Sequence, residues 1–98
     1  MTMNVRCNVY FSGRVQGVGF RFTAVEIADR FPGIGGFVRN LADGRVEIVA
    51  EGPEEQVGAF VAAVEDAMGP YIRGVDKKQL PATGEFSDFT IARRPSAP

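Results

Sequence analysis

Gly36-Phe37-Val38-Arg39-Asn40-Leu41-Ala42-Asp43-Gly44-Arg45-Val46 is the stretch on which the fold turns. Two strand-like runs, 36–41 and 45–51, flank Asp43-Gly44, a dipeptide that closes tight hairpins. Val46, Ile48 and Ala50 share one face of the second run. A helical pattern lies on each side of this hairpin. Upstream, Phe20, Ala24, Ile27, Ala28 and Phe31 recur at helix spacing, with Glu26, Asp29 and Arg30 off the stripe. Pro32-Gly33 predicts its end, because proline cannot continue a helix and glycine tolerates a left-handed exit. Downstream, Gly52-Pro53-Glu54-Glu55 predicts a second helix with Pro53 at its first position and two carboxylates at its positive end. Val57, Phe60, Val61, Val64 and Met68 form its apolar stripe, and Gly69-Pro70 ends it.

The remaining segments complete the pattern. Val5, Cys7, Val9 and Phe11 alternate with Arg6, Asn8, Tyr10 and Ser12, the period of a half-buried strand, which puts Cys7 on the core face as an inert thiol. Strand-like segments at 71–79 and 86–92 are separated by the breakers Pro81-Ala82-Thr83-Gly84. The order is strand, helix, strand, strand, helix, strand, with an extra C-terminal strand. It predicts an α+β, ferredoxin-like split βαβ sandwich: an antiparallel sheet of four to five strands with two helices on one face. With 98 residues, 1–98 is expected to be a single domain, 94–98 a flexible tail. The fold hosts many functions and does not decide the chemistry.

Composition narrows the classes. Eleven basic and twelve acidic residues give a net charge of −1, so no general attraction to nucleic acid or to an anionic membrane is expected. The apolar runs are too short to span a bilayer, and the N-terminus lacks the regions of a signal peptide. One cysteine allows no internal disulfide. A cytoplasmic monomer is the expectation. The chain has no histidine, which removes the commonest general base and the usual zinc ligand sets. Neither a metal nor an organic cofactor is expected.

Chemistry concentrates in Gly13-Arg14-Val15-Gln16-Gly17-Val18-Gly19-Phe20-Arg21, between the first strand and the first helix. Small residues let backbone N–H groups approach a ligand, and the following helix start adds free donors and partial positive charge. Arg21 can add a bidentate clamp on a phosphate. The same spacing also fits a plain glycine turn. Neither a P-loop nor a dinucleotide fingerprint is present, and Cys7 does not stand six residues before an arginine, as a cysteine phosphatase would require.

Residues 13–21 resemble the acylphosphatase signature Gly-x-Val-Gln-Gly-Val-x-Phe-Arg at every specified position. Residues 36–46 are similar to the family's second signature, which runs Gly, aromatic, small, basic, Asn, then Gly and Val. Phe89-Thr90-Ile91 resembles its last strand. The resemblance implies that Arg21 binds phosphate and that Asn40 orients the attacking water. It also implies that the backbone amides of Gln16, Gly17, Val18, Gly19 and Phe20 cradle the phosphate oxygens. The substrate would be a small acyl phosphate, attacked directly by water without a phosphoenzyme or a required metal. Arg39 is a second candidate clamp, but alternation puts Arg39 and Asn40 on opposite faces. Arg14 reads as a solvated loop charge, and Glu47, Glu51 and Asp43 read as surface residues. The nineteen positions between Arg21 and Asn40 are one more than usual, with the extra residue near Pro32–Gly35. Phe37 replaces a common Trp, Ala42 a common Pro, and a basic tail, Arg93-Arg94-Pro95, runs past the usual end.

Two rivals compete. An RNA-binding ferredoxin-like module is suggested by Ile34-Gly35-Gly36-Phe37-Val38, but the basic first position and a basic net charge are missing. An acylphosphatase-like domain that keeps the loop for binding or regulation, without turnover, is the second.

Overall fold

The computed structural model describes residues 3–92. The expected tail, with its arginines at 93 and 94, lies outside the described residues. The elements are β1 (Asn4–Gly13), α1 (Phe20–Ala28), β2 (Gly35–Asn40), β3 (Val46–Pro53), α2 (Glu54–Met68), a 3₁₀ turn (Gly69–Tyr71), β4 (Ile72–Pro81) and β5 (Phe89–Ile91). The sheet order is β4-β1-β3-β2-β5. Both helices pack on one face of the sheet, the face that carries Val9, Phe11, Val38, Val46 and Ile48. Register stacks these residues directly: Ile48 lies opposite both Val9 and Val38, and Phe11 opposite Val46. Phe20, Ala24 and Ile27 of α1 and Val57, Phe60, Val61 and Val64 of α2 close the core over them. Burial of such side chains, roughly 1.5–3 kcal/mol each, is what holds the layers together.

Four strands are antiparallel as the sequence predicts, but β5 pairs with β2 in parallel. The sheet is therefore mixed. The reason is the route of the chain. β4 ends at one edge, and residues 82–88 cross the face opposite the helices to reach the other edge, where β5 docks beside β2. There the amide of Gly36 donates to Asp88 O (2.8 Å) and that of Ala92 to Val38 O (2.9 Å).

On that face the surface reading of Glu47 and Glu51 is corrected, for they are only 4 % and 6 % exposed. Glu51 is the clasp for the crossing segment. It accepts from Thr83 N (3.0 Å), Thr83 Oγ1 (2.7 Å) and Gly84 N (3.0 Å), and Arg6 lies 3.6 Å away. Burial pushes its carboxyl up, but the Thr83 and Gly84 donors and Arg6 together hold it below the usual glutamate range. Glu47 stands in central β3, opposite Arg39 on one side and Tyr10 on the other. Arg39 pairs with it, and its hydrogen bond with Tyr10 raises the Tyr10 hydroxyl's pKa. Alternation gave both glutamates a polar face, yet the long neighbours on either side fold over that face. Asp43 is exposed, as expected.

Local boundaries also differ: β5 is confined to Phe89–Ile91 within the expected 86–92, because residues 82–88 are spent on the crossing. α1 stops at Ala28, four residues before Pro32, because the chain tightens into bonds from Arg30 N to Ile27 O and Phe31 N to Ala28 O. Phe31 still reaches the core, edge-on to Phe60. Pro53 is the N-cap of α2, with extended ψ of 134°, instead of its first helical residue; Glu54 and Glu55 occupy the first turn. β4 runs two residues past Gln79, to Pro81.

Candidate active site

Loop 14–19 leaves β1 and enters α1 through two left-handed glycines, Gly17 (φ +77°) and Gly19 (φ +78°). A Cβ at either would meet nothing within 4 Å. These positions thus require glycine for backbone conformation and not for want of room, and the space over them is open. Gly19 is the N-cap of α1. It supplies no side-chain cap, and no acidic residue stands in the first turn. The leading N–H groups of α1 have no intrahelical acceptor, so they point their partial positive charge outward. Phe20 is locked under this turn by its ring contact with Phe11, 5.0 Å between centroids.

The open space is a cleft of about 320 Å³ lined by Val15, Gly17, Gly19, Phe20, Arg21, Phe22, Asn40 and Ile91. Arg21 enters from the first turn of α1. Asn40 enters from the last residue of β2, on the helix side with Val38. The extra residue near Pro32–Gly35 is absorbed in the connection, because both side chains reach one cleft. Asn40 Oδ1 is buried, and no group among the described residues hydrogen-bonds to it. A buried acceptor left alone costs about 1–3 kcal/mol, so this oxygen is suited to a donor arriving in the cleft. Arg21 is the one titratable side chain among the lining residues.

Arg39 is turned to the opposite face, on Glu47 and over the Phe37 ring (5.5 Å), which removes it as a clamp. Arg14 is exposed, with its amide on Tyr71 O. Cys7 is half-buried against the core. Of the loop residues, Gly17, Gly19 and Phe20 line the cleft, whereas the Val18 side chain packs on the core. Gln16 does something the sequence reading did not assign. Its Nε2 donates to Leu41 O (2.8 Å) and Arg45 O (2.9 Å), the two carbonyls at the mouth of the β2–β3 hairpin. The loop that carries the glycines is thereby tied to the residue following Asn40.

A family model described as Acylphosphatase matches residues 7–91. The chain belongs to the acylphosphatase family. It is 44 % identical over 91 residues to the acylphosphatase of Methylococcus capsulatus, covering 90 % of this chain and 96 % of the relative. It is 48 % identical over 89 residues to that of Pseudomonas paraeruginosa, covering 88 % and 93 %. Among solved structures, the acylphosphatase of Bacillus subtilis superposes with a TM-score of 0.79 at 33 % identity, covering 90 % of this chain and 98 % of that one. The ferredoxin-like fold is shared across these acylphosphatases. The matched residues 7–91 embrace every element here from within β1 to β5, with the signature loop in the β1-to-α1 connection.

Proposed function

We propose that the protein is an acylphosphatase that hydrolyses the carboxyl–phosphate bond of small acyl phosphates by direct attack of water. The observation that carries this reading is the meeting, in one cleft, of an uncapped helix start, Arg21 and Asn40. Arg21 and the backbone amides of Gln16 to Phe20 bind the phosphoryl oxygens. The Asn40 carboxamide holds the attacking water through its unpartnered oxygen. The water oxygen bonds to phosphorus as the phosphorus–oxygen bond to the acyl group breaks. The carboxylate leaves with the electron pair, and the water's proton passes to a phosphoryl oxygen. A carboxylate is a weak base and needs no general acid, and the loose transition state asks mainly for positioning and charge stabilisation. A site without histidine or carboxylate meets those demands.

The lining residues among those described are an arginine, an amide and apolar or glycine residues, none a carboxylate, thiolate or imidazole of the kind that holds a metal ion, and this chemistry supports a metal-independent reaction. Residues 1–98 act as one catalytic unit. A single half-buried cysteine and a balanced charge support a cytoplasmic monomer. Among the described residues, no helix is long and apolar enough to cross a membrane. The reaction is tested by hydrolysis of benzoyl phosphate in ¹⁸O-labelled water with EDTA present. The expected outcome is turnover with one ¹⁸O per released phosphate and none in benzoate. Label in benzoate would mean attack at the carbonyl carbon, and a folded protein without turnover would be a binding module instead.

A further inference from the structure

Seven of the eight phenylalanines sit in ring pairs: Phe11 with Phe20, Phe31 with Phe60, Phe60 with Phe89, and Phe37 with Phe86. Phe22 has no ring partner among the described residues and is 74 % exposed. It stands directly after Arg21 in the first turn of α1 and lines the same cleft, together with Ile91 from β5 and Val15 from the loop. An exposed ring buries little and adds little to the fold. At this position a glutamate would favour the helix more, by complementing its positive end. The site therefore has a polar wall of Arg21, amides and Asn40, and an apolar lip whose most prominent member serves no core.

The carbonyl carbon of an acyl phosphate is one bridging oxygen from phosphorus. Because Phe22 lines the same cleft as Arg21, a phosphoryl head held by Arg21 has its acyl group within reach of the Phe22 ring. Resting on the acylphosphatase reading, we infer that Phe22 forms the acyl-group subsite and selects acyl phosphates with an aromatic or branched apolar acyl group. The ring offers contact area to such a group at small conformational cost. A compact acetyl group reaches it poorly, and an acidic acyl chain finds no cation on Phe22, Ile91 or Val15. An aromatic contact of this kind is worth roughly tenfold in discrimination.

The test compares kcat/KM for benzoyl phosphate and acetyl phosphate in wild type, Phe22→Ala and Phe22→Leu, with inhibition by inorganic phosphate measured alongside. Because Phe22 is exposed, both variants are expected to fold, which circular dichroism checks. The expected result for Phe22→Ala is about a tenfold loss with benzoyl phosphate and about twofold with acetyl phosphate, with Phe22→Leu between. Phosphate inhibition moves less than the benzoyl phosphate rate. An equal loss on both substrates, or an unchanged ratio, overturns the subsite while leaving the acylphosphatase reading intact. No turnover of either substrate by folded wild type overturns that reading and the subsite with it.

Discussion

Replacing Gln16 by alanine tests whether the phosphate loop and the Asn40 hairpin are held as one unit. Its amide makes two hydrogen bonds, 2.8 and 2.9 Å, to Leu41 O and Arg45 O. Neither carbonyl is orphaned by the change. Leu41 O still accepts from Gly44 N (3.1 Å), and Arg45 O from Leu41 N (2.8 Å). The penalty is then the net worth of two ordinary hydrogen bonds, about 1 kcal/mol each, without the larger charge for a stranded acceptor. A loss of about 2 kcal/mol lowers Tm by roughly 8–16 °C in a domain of this size. Freed from the loop, Asn40 loses its fixed distance to Arg21, and kcat falls roughly tenfold or more. Gln16→Glu sharpens the test. It is nearly the same shape, but it turns two acceptor oxygens toward two carbonyls and adds negative charge beside an anion site, so it destabilises more than alanine. Thermal and urea unfolding, read with benzoyl phosphate turnover, give both effects. A loss under about 0.5 kcal/mol for Gln16→Ala, or a Glu variant as stable as wild type, refutes the reasoning.

Two glycines separate conformation from crowding. Gly19→Ala forces a left-handed alanine with no steric contact and costs about 1–2 kcal/mol, whereas Gly36→Ala drives a Cβ into Val49 O and costs about 3 kcal/mol or more; chemical denaturation ranks them. Glu47→Ala removes the buried carboxylate that pairs with half-buried Arg39 and bonds Tyr10 and costs about 1–3 kcal/mol, which unfolding in urea reads directly. Glu51 has a depressed carboxyl pKa in the folded state, so its contribution is complete above the usual glutamate range and is lost as the pH falls through the lower folded value. Glu51→Gln accordingly lowers Tm at neutral pH and flattens the acid limb of the stability profile, measured by Tm from pH 2 to 7.

The strand and helix order was legible because each element carries its own period: Val5 to Phe11 by twos, Phe20 to Ala28 and Val57 to Met68 by helical turns. The two signatures singled out Arg21 and Asn40, and the fold brings both side chains to one cleft. What could not be read was tertiary. The parallel docking of β5 depends on a segment crossing the sheet, and the burial of Glu47 and Glu51 depends on neighbours that lie next to them only after pairing. Gln16 carried a signal of sorts, an amide among glycines and valines, but its two acceptors are 25 and 29 residues away. Phe22 lies off the helix stripe of Phe20, Ala24 and Ile27, and its ring accordingly falls outside the core.

The most direct test of the site sets phosphate affinity against turnover in Arg21→Ala and Asn40→Ala, by calorimetric titration with inorganic phosphate and by benzoyl phosphate hydrolysis. Arg21→Ala is expected to lose both phosphate binding and turnover. Asn40→Ala is expected to keep phosphate affinity within a few-fold of wild type and to lose turnover by roughly 100-fold or more, because it removes the group that holds water and not the one that holds phosphate. Near-normal turnover in a folded Asn40→Ala protein, or unchanged phosphate binding in Arg21→Ala, would contradict the assignment.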